Sequence, residues 1–427
     1  MLDRKIAPSQ HAINNLTLIE PTEITCENGL KIFVFQADEM SLIKAEFVFH
    51  NIFDKPETPL LNTCLSHMLK EGTKNRSSKQ IAEEVEYRGA YLVPEYSFDQ
   101  SSLTLYSLHK HISGLLPLVH DILINSIFPQ TELDTFVRNN KQSLQISLQK
   151  NDYLARRLFY NHLFGENRYG STPNETKYDE LNRDDLLNLY NRQIRPSNCT
   201  MFLSGNITPA ILTEIRNFFE TGWGNSNLGV SVTSPKLFET FRPELIVEER
   251  KDAIQSAIRL ATPSINRTHE DFPAVQFVNT MLGGYFGSRL MRNIREEKGF
   301  TYGINSTNAS LLHSGFFTVA TEVAAEVTKA TLHEIEIEFN NLRNIRSSEE
   351  EVSLVKNYLL GAVLGSVESI FSHADKFKSV YFYGMSLDYF KYYNEVIRSM
   401  DSDRVLAIAD RYFDYSNLLK IVVGKLN

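Results

Sequence analysis

The sequence predicts an α+β protein built as two tandem copies of one unit, each a mostly antiparallel sheet with helices packed on it. Strand and helix patterns follow one another in the same order in both halves of the 427 residues. The stretch between the halves, residues 223–239, is rich in Gly, Ser and Asn, a composition typical of linkers. We therefore expect a first domain over residues 1–222, a linker over 223–240 and a second domain over 241–427.

Patterns in the first half predict strands that alternate with helices. Residues 24–25 and 31–36 flank an Asn-Gly step, which favours a hairpin turn. Ser77 and Gly89 bracket a Glu-rich helical pattern, as an N-cap residue and a C-terminal glycine do. The other predicted elements are strands at 42–50, 91–96, 101–108 and 200–205, and helices at 60–70, 115–125 and 132–163.

The same order of patterns returns in the second half. The helix predicted over 272–298 is interrupted by Gly283-Gly284, and Ser347-Ser348 followed by acidic residues predicts a helix start. Strands are predicted at 253–261, 300–306, 315–321 and 418–424, and helices at 272–298, 327–342 and 349–366. This repeated order is what indicates a tandem repeat.

Composition and charge argue against several classes of partner. The net charge is −8, acidic and basic residues are interspersed, and no basic stripe indicates nucleic-acid binding. No apolar run approaches the roughly 20 residues of a membrane-spanning helix. Residues 1–15 contain Asp, Arg, Lys and Pro where a signal peptide has an apolar core. Cys26, Cys64 and Cys199 have neither metal-binding nor disulfide spacing. We expect a cytoplasmic protein with no nucleic-acid or membrane partner.

The helix predicted over 60–70 contains the run TCLSHML, residues 63–69, followed by Gly72-Thr73. This run resembles the active-site helix of the insulinase/pitrilysin family of metallopeptidases, which has His-x-x-Glu-His before Met-Leu and Gly-Thr. In such a helix two histidines on one face bind zinc, and the glutamate takes a proton from the zinc-bound water. Here Thr63 stands at the first histidine and Ser66 at the glutamate, so only His67 remains.

The family's third zinc ligand is a glutamate on a later helix, and by alignment it falls near Gln142-Ser143. No Asp or Glu occurs between Asp134 and Asp152. A catalytic zinc needs three protein ligands, and one imidazole does not supply them. The resemblance therefore implies that this chain binds no metal or other cofactor. We expect Cys64 to be a buried apolar residue and His67 to be a hydrogen-bonded helix histidine.

The resemblance extends over nearly the whole chain. It includes the opening hairpin and the run over residues 164–207, and it is strongest over residues 282–306, LGGYFGSRLMRNIREEKGFTYGINS. It implies that the two domains together form half of a clamshell.

Within this strongest match, Arg295 and Tyr302 correspond to an Arg and a Tyr that in the family face the zinc across a closed chamber. There they hold the substrate backbone and stabilise the carbonyl oxygen as it becomes negative. A guanidinium, which is charged and donates several hydrogen bonds in a plane, and a phenol, which donates one, are suited to this role. Without the family, a cation near a helix C-terminus and a core tyrosine explain the pair better than a functional role does. The resemblance reverses that preference. Gly283-Gly284 resembles a substrate-contacting glycine-rich loop of the family's non-catalytic subunits; alternatively it is a helix break that allows close packing.

Some members of the family, such as mitochondrial processing peptidase, are pairs of half-size chains. One chain carries the zinc motif, and the other lacks it and supplies the Arg/Tyr pair. This sequence looks like the second kind. The resemblance implies a subunit inactive alone, with Arg295 and Tyr302 acting in trans on unfolded peptides at the zinc of a homologous partner chain. The alternatives are a non-catalytic scaffold like the core subunits of the respiratory bc complex, a homodimeric peptide-binding protein, and a peptidase with an unrecognised metal site.

Overall fold

The computed structural model describes residues 17–54, 59–224 and 234–426. Residues 1–15, where no signal peptide is expected, and residues 225–233 of the predicted linker lie outside the described residues. The described residues form two sheets with helices, one sheet in each half of the chain. The predicted α+β fold with two tandem domains is confirmed.

The sheet of the first domain has six strands in the order β1-β2-β6-β3-β5-β4. All neighbours are antiparallel except β2 and β6. The central strand β3 is buried along almost its whole length, because neighbouring strands and helices cover both of its faces. The strands are β1 Thr22–Thr25, β2 Lys31–Gln36, β3 Leu42–His50, β4 Tyr91–Tyr96, β5 Gln100–Leu108 and β6 Cys199–Gly205.

Eight helices belong to the described part of the first half. They are α1 Leu60–Met68, α2 Ser78–Tyr87, α3 Ile112–Asn125, α4 Gln130–Ser147, α5 Asn151–Phe164, α6 Glu175–Asp179, α7 Arg183–Gln193 and α8 Pro209–Arg216. The helix α2 begins as predicted, since Ser77 and Gln80 exchange hydrogen bonds in a capping box. The single helix predicted over 132–163 is instead α4 and α5, which are separated at Lys150 by an extended residue.

The sheet of the second domain repeats the topology of the first without a counterpart of β1. Its order is β7-β11-β8-β10-β9, and only β7 and β11 are parallel. Thus β9, at a free edge, corresponds to β4 of the first sheet. The strands are β7 Leu245–Glu249, β8 Gln255–Ser264, β9 Thr301–Ser310, β10 Gly315–Ala324 and β11 Leu419–Gly424.

Six α-helices accompany this second sheet in the described residues. They are α9 Phe272–Asn279, α10 Thr328–Asn344, α11 Glu349–Gly365, α12 Ile370–Tyr381, α13 Asp388–Ser399 and α14 Ser402–Tyr412. The long helix predicted over 272–298 is instead α9 followed by two wide π-helical turns, Thr280–Gly284 and Met291–Glu297. Tyr285, directly after the two glycines, has an extended backbone and ends the first of these turns.

Each domain places one helix on the sheet of the other. The helix α5 of the first half packs Ala155, Phe159 and Leu163 against β8, β10 and β11. The helix α12 of the second half packs Phe377 and Val380 against β2, β3 and β6. This crossed packing explains why α4 and α5 separate: α4 stays on the first domain while α5 leaves for the second.

No single helix in the described residues is both long enough and apolar enough to cross a membrane. Taken together, α11 and α12 have the length and composition of a membrane span, but the two helices are bent by 113° relative to each other. The apolar side of α12 is buried against the first sheet, with Ile370, Ala374 and Phe377 all in that core.

Candidate functional site

The helix α1 carries the remnant of the zinc motif. Thr63 donates a hydrogen bond from Oγ1 to the Pro59 carbonyl at 3.0 Å, so its hydroxyl bonds to its own helix. Cys64 is fully buried, and burial raises the pKa of its thiol to about 12. Ser66 is buried as well, whereas His67 is exposed. The expectation that Cys64 is a buried apolar residue agrees with this geometry.

His67 lies at the mouth of a cavity of about 550 Å³ between α1, α4 and the edge strand β4. Its ring packs 5.7 Å from the ring of Phe136. Partial burial lowers the pKa of His67, the charge of Lys70 lowers it further, and Glu71 raises it. His67 is therefore a neutral, ring-packed side chain at neutral pH.

The α4 residues beside His67 differ from those expected from alignment. Asn139 and Asn140 line the cavity with His67, whereas Gln142 lines a different cavity with Lys141 and Tyr178. Residues 140 and 142 are about 200° apart around a helix, so a two-residue error moves a side chain to the opposite face. Residue spacing across a helical hairpin does not determine which face of α4 points toward His67.

These residues do not fit a zinc ion. The cavity is lined by the imidazole of His67, by the amides of Asn139 and Asn140, and by the carboxylates of Glu71 and Glu132. A catalytic zinc needs three protein ligands gathered around one point. Within the described residues, no group of three or more His, Cys, Asp or Glu side chains is arranged to hold a metal.

Arg295 lies on the second π-helical turn, and its guanidinium carbon sits 4.6 Å above the ring of Phe286. This cation–π contact holds the head in place without neutralising its charge. No carboxylate in the described residues forms an ion pair with Arg295. The wide turn is closed by a hydrogen bond from Lys298 N to the Asn293 carbonyl, and such turns are frequent at functional sites. Sequence reasoning missed Phe286, although an aromatic residue inside a glycine-rich run was a usable signal.

Tyr302 is 94% exposed because it lies in a β-bulge. Ile304 pairs with Thr321 and Thr301 pairs with Val323, so Tyr302 and Gly303 face a single residue of β10. A bulge re-aims the side chain of its strand. The π-helical turn with Arg295 packs on β9, so both candidate side chains occupy one corner of the second domain, while α1 packs against α4, α7, β4 and β5 of the first.

The two glycines differ in their surroundings. A Cβ atom on Gly283 would lie 2.8 Å from the backbone nitrogen of Ser306 on β9, so this position needs glycine for close packing. Gly284 is exposed at the end of the same turn. Close packing therefore accounts for Gly283 without a ligand, and substrate contact by either glycine stays a proposal.

Comparison with known proteins gives two matches to one family. Residues 54–175 match the family described as insulinase (peptidase family M16). Residues 180–359 match the domain described as the peptidase M16 inactive domain.

Curated relatives and solved structures agree with those matches. The chain is 24% identical to a protein of Bacillus subtilis named uncharacterized zinc protease YmxG, over 81% of this chain and 84% of the relative. It is 23% identical to a Helicobacter pylori protein named non-peptidase homolog YmxG, over 77% of this chain and 76% of that protein. The crystal structure of a peptidase M16 inactive domain from Pseudomonas fluorescens superposes with a TM-score of 0.84 at 20% identity, covering 96% of this chain and 99% of that one.

Proposed function

The chain belongs to the insulinase (M16) family of peptidases, and from this premise we propose that it is the zinc-free subunit of a heterodimeric peptidase. Its partner is a homologous chain that carries the zinc motif. Together they enclose a short unfolded peptide, and Arg295 and Tyr302 act in trans at the partner's zinc site. The proposal includes domains over 1–222 and 241–427 and a cytoplasmic location.

The observation that carries this proposal is that a guanidinium without a carboxylate partner in the described part of the chain and an exposed phenol lie on two elements of the second domain that pack together, the turn Met291–Glu297 and β9. Arg295 rests on Phe286 without a carboxylate partner in the described residues, and Tyr302 projects from its bulge into solvent. Both are donors, and donors suit an oxygen that gains negative charge.

This chain's residues position a carbonyl oxygen, while the hydrolytic water belongs to the partner. The Arg295 guanidinium donates through a planar fork, and the Tyr302 hydroxyl adds a neutral donor. In a site from which water is excluded, such donors stabilise the developing oxyanion by a few kcal/mol, or about 100-fold in rate. Neither side chain needs to gain or lose a proton for this role.

Free sheet edges provide a place for the peptide backbone. The strand β4 is an edge beside His67, and β9 is the corresponding edge beside Arg295. An extended peptide adds to such an edge through main-chain hydrogen bonds, and pockets alongside select its side chains.

The test combines this chain with a purified M16 chain that carries His-x-x-Glu-His, and measures cleavage of a fluorogenic unfolded peptide. We expect this chain to raise kcat/KM, and Arg295→Ala to remove about 100-fold of that gain while complex formation on a sizing column stays intact. The matched control is Arg292→Ala, because Arg292 is exposed on the same turn. If turnover with Arg295→Ala equals that of the native pair, Arg295 has no such role. If this chain never stimulates a zinc-bearing homologue, the scaffold alternative is favoured.

A further inference from the structure

The helix α11 is apolar but poorly covered. Of its 17 residues only Val352 and Val355 are buried. Leu354, Tyr358 and Leu364 are 51%, 45% and 46% exposed, and residues 358–367 carry no charge. Leu354 and Tyr358, four residues apart, share one face of α11, and Leu364 lies farther along the helix. Exposed apolar patches are often interaction sites.

This exposed side of α11 continues to Arg295 through aromatic rings. The ring of Tyr358 lies 4.8 Å from the ring of Tyr285. The next residue, Phe286, is 61% exposed and forms the platform under the Arg295 guanidinium. We call Phe286, Leu354, Tyr358 and Leu364 the apolar patch.

The surroundings of the apolar patch fit an extended peptide better than a folded partner. The π-helical turn Thr280–Gly284 contacts both α11 and the free-edge strand β9, so the helix and the edge strand flank the same turn. The same corner offers the unpaired Arg295 and the hydroxyl of Tyr302. The cores of permanent subunit interfaces are depleted in charged groups, whereas a peptide main chain supplies carbonyls to such donors and to a strand edge.

We propose that the apolar patch binds large apolar side chains of the peptide whose backbone Arg295 contacts. The substrates are then extended segments with leucine-like or phenylalanine-like residues beside the contacted carbonyl, not charged or Gly/Ser-rich segments. This inference rests on the proposed function for the role of Arg295, but peptide binding by this chain is measurable without any partner.

The test measures binding of the full chain to two fluorescein-labelled, unstructured peptides by fluorescence anisotropy. One has leucine at alternate positions, because side chains of an extended peptide alternate between faces; the other has serine there. We expect the native chain to bind the leucine peptide at least about tenfold more tightly than the serine peptide. The double variant Leu354→Gln, Leu364→Gln removes that preference, and both positions are exposed, so folding is retained.

The matched control is Ile146→Gln, a 53% exposed apolar residue on α4 of the first domain, which should leave the preference intact. Unchanged leucine-peptide affinity in the double variant overturns the proposal. The proposal is also overturned if the double variant changes only self-association in sedimentation, because the patch then binds a second copy of the chain. It is overturned as well if the double variant changes only binding to phosphatidylcholine vesicles, because the patch then binds a lipid surface. If the preference is lost in the variant while the native chain fails to stimulate a zinc-bearing homologue, the patch inference stands and the proposed function fails.

Discussion

Glu46 on β3 of the first domain accepts a 2.6 Å hydrogen bond from the ammonium of Lys378 on α12 of the second domain. The opposite carboxylate oxygen of Glu46 lies 3.2 Å from Lys44, which also contacts Asp375 of α12 at 2.8 Å. Glu46 and Lys44 are only 3% and 6% exposed. Four charges therefore join the two domains beside the apolar contact between α12 and the first sheet.

Replacing Glu46 by Gln should destabilise the protein strongly. Burial on its own would lower the pKa of Lys44, but Glu46 and Asp375 raise it above its ordinary value, so Lys44 is charged in the folded state. Without Glu46 that buried charge loses its closest buried counter-ion, which costs about 3 kcal/mol in the free energy of unfolding. Urea denaturation followed by circular dichroism measures this loss.

The control for Glu46→Gln is Asp388→Asn, because Asp388 pairs with Lys391 on the surface. That variant should leave the urea midpoint unchanged, since exposed pairs contribute little. Equal midpoints for the two variants would show that the charges between the domains are not coupled to folding.

Protonation of His373 on α12 should lower the free energy of unfolding in acid. Burial lowers the pKa of His373 below its ordinary value, and its Nδ1 accepts a hydrogen bond from the Ile19 amide at 3.2 Å. Because the pKa is lower in the folded than in the unfolded state, the contribution of His373 is present above the unfolded pKa, about 6.5. It is lost as the pH falls through the folded pKa.

The measurement for His373 is the urea midpoint of the native chain and of His373→Gln at pH 7.5 and pH 5. We expect the drop between the two pH values to be smaller in the variant, since glutamine does not titrate. A drop of the same size in both proteins would assign the acid sensitivity to other groups.

Local patterns in the sequence predict much of the fold but not how the halves combine. The order of strands and helices is encoded locally, in alternation, in the Ser77 cap and in turn residues, so the tandem repeat was predictable. The contact of Phe33 with Phe377, ring centroids 4.8 Å apart, joins residues far apart in sequence, and no periodicity encodes it. The separate helices α12, α13 and α14 were not predicted. The packing of α5 and α12 on the sheet of the other domain was not predicted either.

The candidate site shows the same division. Motif similarity singled out Arg295 and Tyr302 as candidates, and the two residues lie on elements that pack together. The bulge that exposes Tyr302 depends on its pairing with β10, and the phase of α4 beside His67 depends on packing. Neither is determined by spacing along the chain.

Two glycine substitutions should have effects of opposite sign. Gly283→Ala places a Cβ atom 2.8 Å from the Ser306 backbone nitrogen and 2.7 Å from its Oγ, and overpacking of this kind costs about 1–3 kcal/mol. Gly361→Ala, inside α11, meets nothing within 4 Å, and alanine stabilises an open helix position by about 0.5–1 kcal/mol. Thermal denaturation of both variants measures the two changes. A Gly283→Ala protein as stable as the native chain would show that the π-helical turn can move away from β9, and close packing would no longer explain the glycine.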